Sequence, residues 1–567
     1  MTNGLTIGDK LVFAVYFIIV SCYGWWVYKR KHNADATSKD YFLAEGSLTW
    51  WAIGASLIAS NISAEQMVGM SGSGFKMGLA ISTYEWMAAL TLVIVAVFFI
   101  PVYLKNKIYT MPQFLSQRYN DKVAMIMAIF WLLLYIIVNL MSILFLGAVA
   151  VHGISGINIH TCIWALAIFA VIITLGGMKV IGYTDVIQVF VLILGGLMAT
   201  YIALNLISEK SGSPGLLSGL LQLKDQASDH FHMIFKRDNP NYMDLPGLSV
   251  LIGGMWITNL NYWGCNQYIT QRALGANLKT ARGGILFAAF LKLLMPVIVV
   301  LPGIAAYVLY QRGSFHQEMM TSTGILDPNK AYPSILNLLP NYVKGLSFAA
   351  LTAAIVASLA GKANSIATIF TLDIYKKAIK PDATDKQLVS LGKIAVVVAM
   401  VLGVILSEIL GEKLMGEGKS GFQYIQEYTG FVSPGIFAMF ILGFFWKKAT
   451  SNAALFATIG GFVFSVIFKF LPLFANLEFL SPFGFSKQVL QDDKVTQLYE
   501  IPFFDRMGFV FIICMVGMYV ISMIETARGV KTNGLEIESS MFKTSKGFTI
   551  GAILICIILT VLYTVFW

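Results

Sequence analysis

Charge is scarce in this chain. Acidic and basic residues make up 12% of its 567 positions, about half of the ~25% carried by an ordinary soluble domain. So little charge does not coat a water-soluble surface when 57% of the residues are hydrophobic and 13% aromatic. Long polar stretches are missing too, which excludes a large soluble catalytic or nucleic-acid-binding domain. Cysteine is equally sparse: Cys22, Cys162, Cys265, Cys514 and Cys556 stand singly in apolar segments. With no CxxC spacing they read as small buried hydrophobes. No P-loop, nucleophile elbow or HExxH occurs, so ATP bound by this chain is not the energy source. Asp229-His230-Phe231-His232 has two histidines but no third ligand nearby. Gly69, Gly72 and Gly74 follow a helical segment instead of a strand, and so form no dinucleotide fingerprint.

What the chain has is apolar length. A membrane-crossing helix needs about 20 apolar residues, and about fourteen such runs follow one another. They lie near 9–28, 48–72, 79–104, 123–151, 157–176, 180–207, 247–267, 282–310, 343–372, 388–411, 420–446, 451–474, 504–524 and 546–567. The cluster Lys29, Arg30 and Lys31 follows the first run instead of preceding it, so that run reads as a retained span, not a cleaved leader. The net charge of +10 reflects loop lysines and arginines, which collect on the cytoplasmic side and set orientation. They cluster after spans one (Lys29, Arg30, Lys31, Lys39), three (Lys105, Lys107, Arg118), seven (Arg272, Lys279, Arg282), nine (Lys376, Lys377, Lys380) and thirteen (Arg528, Lys531, Lys543). This alternation predicts a multi-pass inner-membrane protein with both termini, and the long connections 208–246, 311–342 and 475–503, outside.

Two spans are interrupted by polar, poorly helix-forming residues. One runs from Trp50 into Ser60-Asn61-Ile62-Ser63-Ala64-Glu65-Gln66, the other from Leu251 into Thr258-Asn259-Leu260-Asn261-Tyr262-Trp263-Gly264. Freed backbone at membrane depth is tolerated only where it is buried in protein or lines a cavity. The interruptions lie an odd number of spans apart, so the two helices cross in opposite directions. Paired broken helices in two inverted halves point to the midplane site of a secondary transporter. The plainer reading is that Asn and Ser only join packed helices.

Ionisable residues inside spans cost at least ~2.5–3.5 kcal/mol each and so require partners or water. The candidates are Glu65, Glu85, Asp185, Lys292, Lys362 and Glu427. Opposite charges among them serve either as structural pairs or as strong partners for a hydroxyl-rich ligand. Carboxamides (Gln66, Asn139, Asn259, Gln426) and aromatics (Tyr84, Tyr262, Trp263, Phe422) stand close by in sequence. Neutral amides beside aromatic faces suit a sugar, with its hydroxyl rim and apolar C–H faces. An amino acid or organic acid would instead call for a site that takes its carboxylate.

The stretches Ser60–Gln66, Tyr84-Glu85-Trp86-Met87, Gly176-Gly177 with Tyr183-Thr184-Asp185, Tyr262-Trp263-Gly264 with Asn266-Gln267, and Phe422–Gly430 resemble the sodium:solute symporter family, and within it the bacterial sodium/galactose symporters. The resemblance implies an all-α integral membrane fold of the LeuT type, with inverted five-helix repeats at 48–207 and 247–446. Around them stand a first helix and cytoplasmic loop (1–47), an outer loop (208–246) and peripheral helices (447–567). It implies sodium-coupled symport of a neutral monosaccharide, not enzymatic turnover, with the bilayer and a small sugar as partners. A sugar site falls on Gln66, Glu85, Asn259, Lys292 and Gln426, and a serine of the family pattern is Ala88 here. Tyr262, held by Asn61, becomes an inner gate, Met70 and Phe422 an outer shield, and Asn139 and Trp263 flank the pocket.

The implied sodium site uses carbonyls of Ala59, Ile62 and Ala354 with two successive serine hydroxyls, which here read Ala357-Ser358. Four residues on stands Lys362, on the same helix face. Its ammonium is expected either to reach the emptied cation site or to pair with Asp185. The alternative to sodium coupling is therefore a sodium-independent or proton-coupled carrier with Lys362 as a built-in cation. A sugar sensor that moves nothing is the alternative of another class, and it would need an output domain.

Overall fold

The structure is a computed structural model that describes residues 4–31, 48–209, 214–321, 324–415, 421–490 and 496–567. Most of the loop expected after the first span, Lys39 included, lies outside the described residues. Helices cover all the predicted spans, but unevenly. Among the described residues ten are long and apolar enough to cross a bilayer, and the pair Gly421–Gly430 and Ser433–Phe445, bent by 50°, makes an eleventh. Ile159–Thr174 is a shorter apolar helix. Glu65–Lys105 passes as one apolar run, yet Gly78 at φ +70° turns the chain within it. The expectation of an all-helical chain needs one amendment: Lys487–Leu490 and Gln497–Glu500 pair as a small antiparallel sheet in a connection too polar to enter the apolar layer.

The centre of the molecule is Val343–Thr368, which packs against Ile7–Lys31, Trp50–Asn61, Ile159–Thr174, Gly177–Glu209 and Asp385–Met415. In the span it opens, 89% of the most apolar stretch is buried, against 17% for the C-terminal Lys546–Val565. Its alanines and glycines explain this, because small residues let membrane helices approach closely. The same device seats Leu278–Gln311 against the first interrupted span. A Cβ on Gly303 would stand 2.0 Å from the Ser71 carbonyl, and one on Gly54 would stand 2.7 Å from the Gly284 carbonyl.

Polar contacts sort the connections onto two faces. On one, Arg312 donates to Gln226 and to the Ile207 carbonyl, and Lys487 donates to the Asn239 carbonyl. The Phe566 and Trp567 carbonyls accept from Met233 and Ile234. The Tyr342 N–H donates to Asp9, so the start of the first described helix, the C-terminal end and all three long connections share that face. On the other, Arg118 donates to the Gly443, Trp446 and Ala449 carbonyls, and Arg282 to those of Met541 and Lys543.

Asp9 ties the first helix into the centre. Its buried carboxylate accepts from Thr6, from the Tyr342 N–H at 2.8 Å and from the Gly345 N–H at 3.0 Å. It thereby satisfies donors at the start of Val343–Thr368, where a helix has no internal partners. Asp9→Ala is expected to destabilise the protein by about 1–3 kcal/mol. The melting temperature in detergent should fall measurably, whereas the exposed Asp382→Ala should leave it within error.

Candidate functional site

Both interrupted spans are broken, though the second breaks elsewhere than its composition suggests. The first helix, Trp50–Asn61, ends where Ile62 turns extended (φ −80°, ψ 108°). The Ser63 N–H, which a continuous helix would give to the Ala59 carbonyl, donates instead to Gln66 Oε1 at 3.1 Å. The second, Gly254–Cys265, is helical through Thr258–Gly264, and the break falls at Asn266 (φ −98°, ψ 128°). Thr258 and Asn259 bond back to the Gly254 and Met255 carbonyls at 3.2 Å each, which keeps this polar stretch within the helix. Neighbouring hydroxyls serve the freed groups. Ser358 donates to the Ser60 carbonyl at 3.1 Å, Tyr103 to the Gly264 carbonyl at 2.7 Å, and Tyr135 to Asn266 Oδ1 at 3.1 Å.

Between the two breaks lies a cavity of roughly 60 Å³. It brings together Gln66, Glu85, Ala88, Asn259, Lys292 and Gln426, with Asn61, Tyr262, Trp263, Phe422 and Asn139. Lys292 donates to Glu85 Oε2 at 2.5 Å and also to Asn61 Oδ1, and its ammonium lies 5.2 Å from the Trp263 ring centre. Asn61 in turn donates to the Tyr262 hydroxyl at 2.9 Å. A continuous chain of polar contacts thus runs from Glu85 through Lys292 and Asn61 to Tyr262. Across the cavity, Tyr84 donates to Gln423 and meets Phe422 edge-on at 4.9 Å.

Met70 is fully buried but does not line the cavity. Met70 ends the π-helical stretch Glu65–Met70. Gly69 lies under Phe422 instead, 3.0 Å from it when given a Cβ. Thr258, Asn266, Tyr268 and Thr429 also line the cavity and are lining residues that the sequence reading missed.

The intramembrane charges pair differently from expectation. Asp185 does not meet Lys362. It accepts from Ser56 at 2.5 Å, and Ser56 accepts from Arg272 at 2.9 Å, because Arg272 on Gln267–Leu274 turns back toward Trp50–Asn61. Lys362 faces Glu65 instead: its ammonium lies 3.9 Å from Glu65 Oε2, 3.4 Å from Ser358 Oγ and 5.1 Å from the Tyr268 ring centre. Glu65 also accepts from Ser142 at 2.7 Å. Glu427 joins Lys469 at 2.8 Å and Arg506, tying the bent pair to the peripheral helices. Both of these basic partners went unnoticed in the sequence because each sits at the end of an apolar run.

Sodium, a hard cation, needs several oxygen ligands, and the expected set is incomplete. Ala357 supplies a methyl group. Ser358 Oγ is engaged by the Ser60 carbonyl and by Lys362. An orphaned buried oxygen, Ser60 Oγ, lies against Gly361 beside the Arg272 guanidinium, a cationic neighbour that repels a further cation. Among the described residues no group of three His, Cys, Asp or Glu side chains offers a metal site.

The chain matches the sodium:solute symporter family over residues 41–461. It is 46% identical to the sodium/glucose cotransporter of Vibrio parahaemolyticus over all of this chain and 99% of that protein. With human sodium/myo-inositol cotransporter 2 it shares 32% identity, over 82% of this chain and 70% of that one. In structure it resembles a Na+-coupled sialic acid symporter in a substrate-bound outward-open state, with a TM-score of 0.73, 20% identity, and coverage of 92% of this chain and 98% of that one. Inward-facing Mhp1 aligns at a TM-score of 0.52 and 13% identity, covering 89% of this chain and 96% of that one. These relatives are transporters and not enzymes, and the fold is LeuT-like. The chain belongs to the sodium:solute symporter family.

Proposed function

We propose that this protein carries a neutral monosaccharide of the galactose or glucose type across the cell's inner membrane by alternating access. The observation that carries the reading is one cavity between two broken helices, lined by six carboxamides, a Glu85–Lys292 pair and aromatic faces. A pyranose offers hydroxyls to the first two and C–H faces to the third. The charges lining the cavity stand as pairs, Lys292 with Glu85 and Lys362 with Glu65, so a solute with a net charge finds no counter-ion to spare. The named solutes of two relatives, glucose and myo-inositol, are uncharged polyols, in keeping with this chemistry.

In this reading 48–207 and 247–446 are inverted five-helix repeats, preceded by 1–47, separated by the outer loop 208–246 and followed by the peripheral helices 447–567. The face holding both termini is the outer one, because Arg118, Arg282 and their basic neighbours mark the opposite face as cytoplasmic. Tyr262, held by Asn61, closes the inner side of the cavity, and Phe422 with Tyr84 closes the outer side. Family membership points to sodium as the driving ion, whereas Ala357 and Lys362 at the expected cation position point away from it.

Counterflow in proteoliposomes tests the proposal. Vesicles preloaded with galactose or glucose should accumulate the labelled sugar transiently, whereas a sensor gives no exchange. Gln426→Ala removes about one hydrogen-bonding partner, worth roughly 0.5–1.5 kcal/mol, so sugar affinity should fall by up to about tenfold. No exchange with any monosaccharide would sink the reading.

The Glu85–Lys292 pair makes a separate prediction about stability. Removing one partner of a buried pair costs about 3–5 kcal/mol, whereas replacing both is often nearly neutral. Lys292→Met should therefore lower the melting temperature sharply, and the double variant E85Q/K292M should recover most of the loss. Transport should fail in both variants, because neither retains the intact pair that meets the sugar.

A further inference from the structure

We infer that the ammonium of Lys362 permanently occupies the cation position beside the first helix break, so that sugar exchange through this protein does not require sodium. The inference rests on the reading of the chain as a sugar carrier. It goes further by naming the ion that fills the coupling position and the residue that answers it.

Four observations converge on the position. Ala357 contributes no oxygen where a hydroxyl is needed. Ser358 spends its proton on the Ser60 carbonyl at 3.1 Å and accepts from Lys362 at 3.4 Å. Lys362 is 2% exposed and Glu65 8% exposed, with ammonium and carboxylate 3.9 Å apart. Finally, Glu65 lies three residues past the break at Ile62, while Lys362 sits on the central helix Val343–Thr368. The pair therefore joins the broken helix to the most buried helix, the same two elements that a cation held by Ala59, Ile62, Ala354 and Ser358 would join.

The surroundings leave little room for a second cation. Beyond Glu65, the charged neighbour of Lys362 is Arg272, itself tied to Asp185 through Ser56. Sodium entering here would meet two positive groups and compete for a carboxylate already paired and already accepting from Ser142. A tethered ammonium supplies the same charge without dissociating. The carrier then equilibrates sugar instead of concentrating it with sodium, for which a membrane potential of 100 mV alone is worth roughly fifty-fold accumulation per ion.

The test uses the full-length protein in proteoliposomes. Labelled galactose counterflow is measured in sodium and in choline, and ²²Na+ binding to the purified protein is measured in parallel. The expected result is equal counterflow in both salts within about twofold and no saturable ²²Na+ binding. The double variant A357S/K362A restores the hydroxyl and removes the ammonium. It should bind ²²Na+ and should exchange galactose at least tenfold faster in sodium than in choline. Tenfold sodium stimulation of the unaltered protein, or saturable ²²Na+ binding to it, overturns the inference. Absence of counterflow in both salts would count against the sugar reading alone, and the ²²Na+ measurement still decides this one.

Discussion

Main chain freed inside a bilayer has to find hydrogen-bond partners within the protein, and the rest of this structure depends on how two breaks meet that demand. At Ile62 the Ser63 amide turns to the Gln66 side chain, and Ser358 reaches across to the Ser60 carbonyl. At Asn266 the hydroxyls of Tyr103 and Tyr135 arrive from the opposite side. Apart from Gln66, each partner belongs to another span, so each break is also a point of contact with its surroundings. The cavity lies where it does because two such points face one another.

Charge follows the same logic. Lys292 and Glu85, Lys362 and Glu65, and the Glu427 cluster each join side chains from separate helices. A buried pair of this kind adds little net stability against an apolar replacement, yet separating its members is costly. Such pairs hold helices in register, because each charge finds its counter-charge in one relative position. That property suits elements that rearrange as rigid bodies better than a uniformly apolar interface would. Asp185, Ser56 and Arg272 extend the arrangement, binding both broken helices to Gly177–Glu209 on the side away from the termini.

The helical architecture was legible because apolar length and loop charge are properties of the chain itself. The first break was legible as well, since Ser60–Gln66 strings together residues that disfavour helix. The second was misplaced by composition. Thr258 and Asn259 look like breakers, but each can bond to its own preceding turn, and a linear reading does not show which choice it makes. Met70, expected from the resemblance as part of an outer shield, is buried behind the cavity wall instead of lining it. The lining amides and aromatics of the cavity could be named from their segments. Their pairing could not: whether Lys362 meets Asp185 or Glu65 depends on the rotation of Val343–Thr368 against two neighbours, which no local pattern encodes.

A tethered cation differs from a diffusible one in what it can report. Sodium binding at a helix break depends on its outside concentration, so the balance between conformations follows the gradient. Lys362 stands at a fixed effective concentration set by its own backbone, and no gradient alters it. Its desolvation is met once, during folding, with Glu65, Ser358 and the Tyr268 ring as compensation. The conformational balance of the carrier then rests with the sugar and with the packing of the broken helices. On the proposed reading, a single side chain separates two functions that the same fold otherwise links: closing around a solute, and being driven to close by an ion.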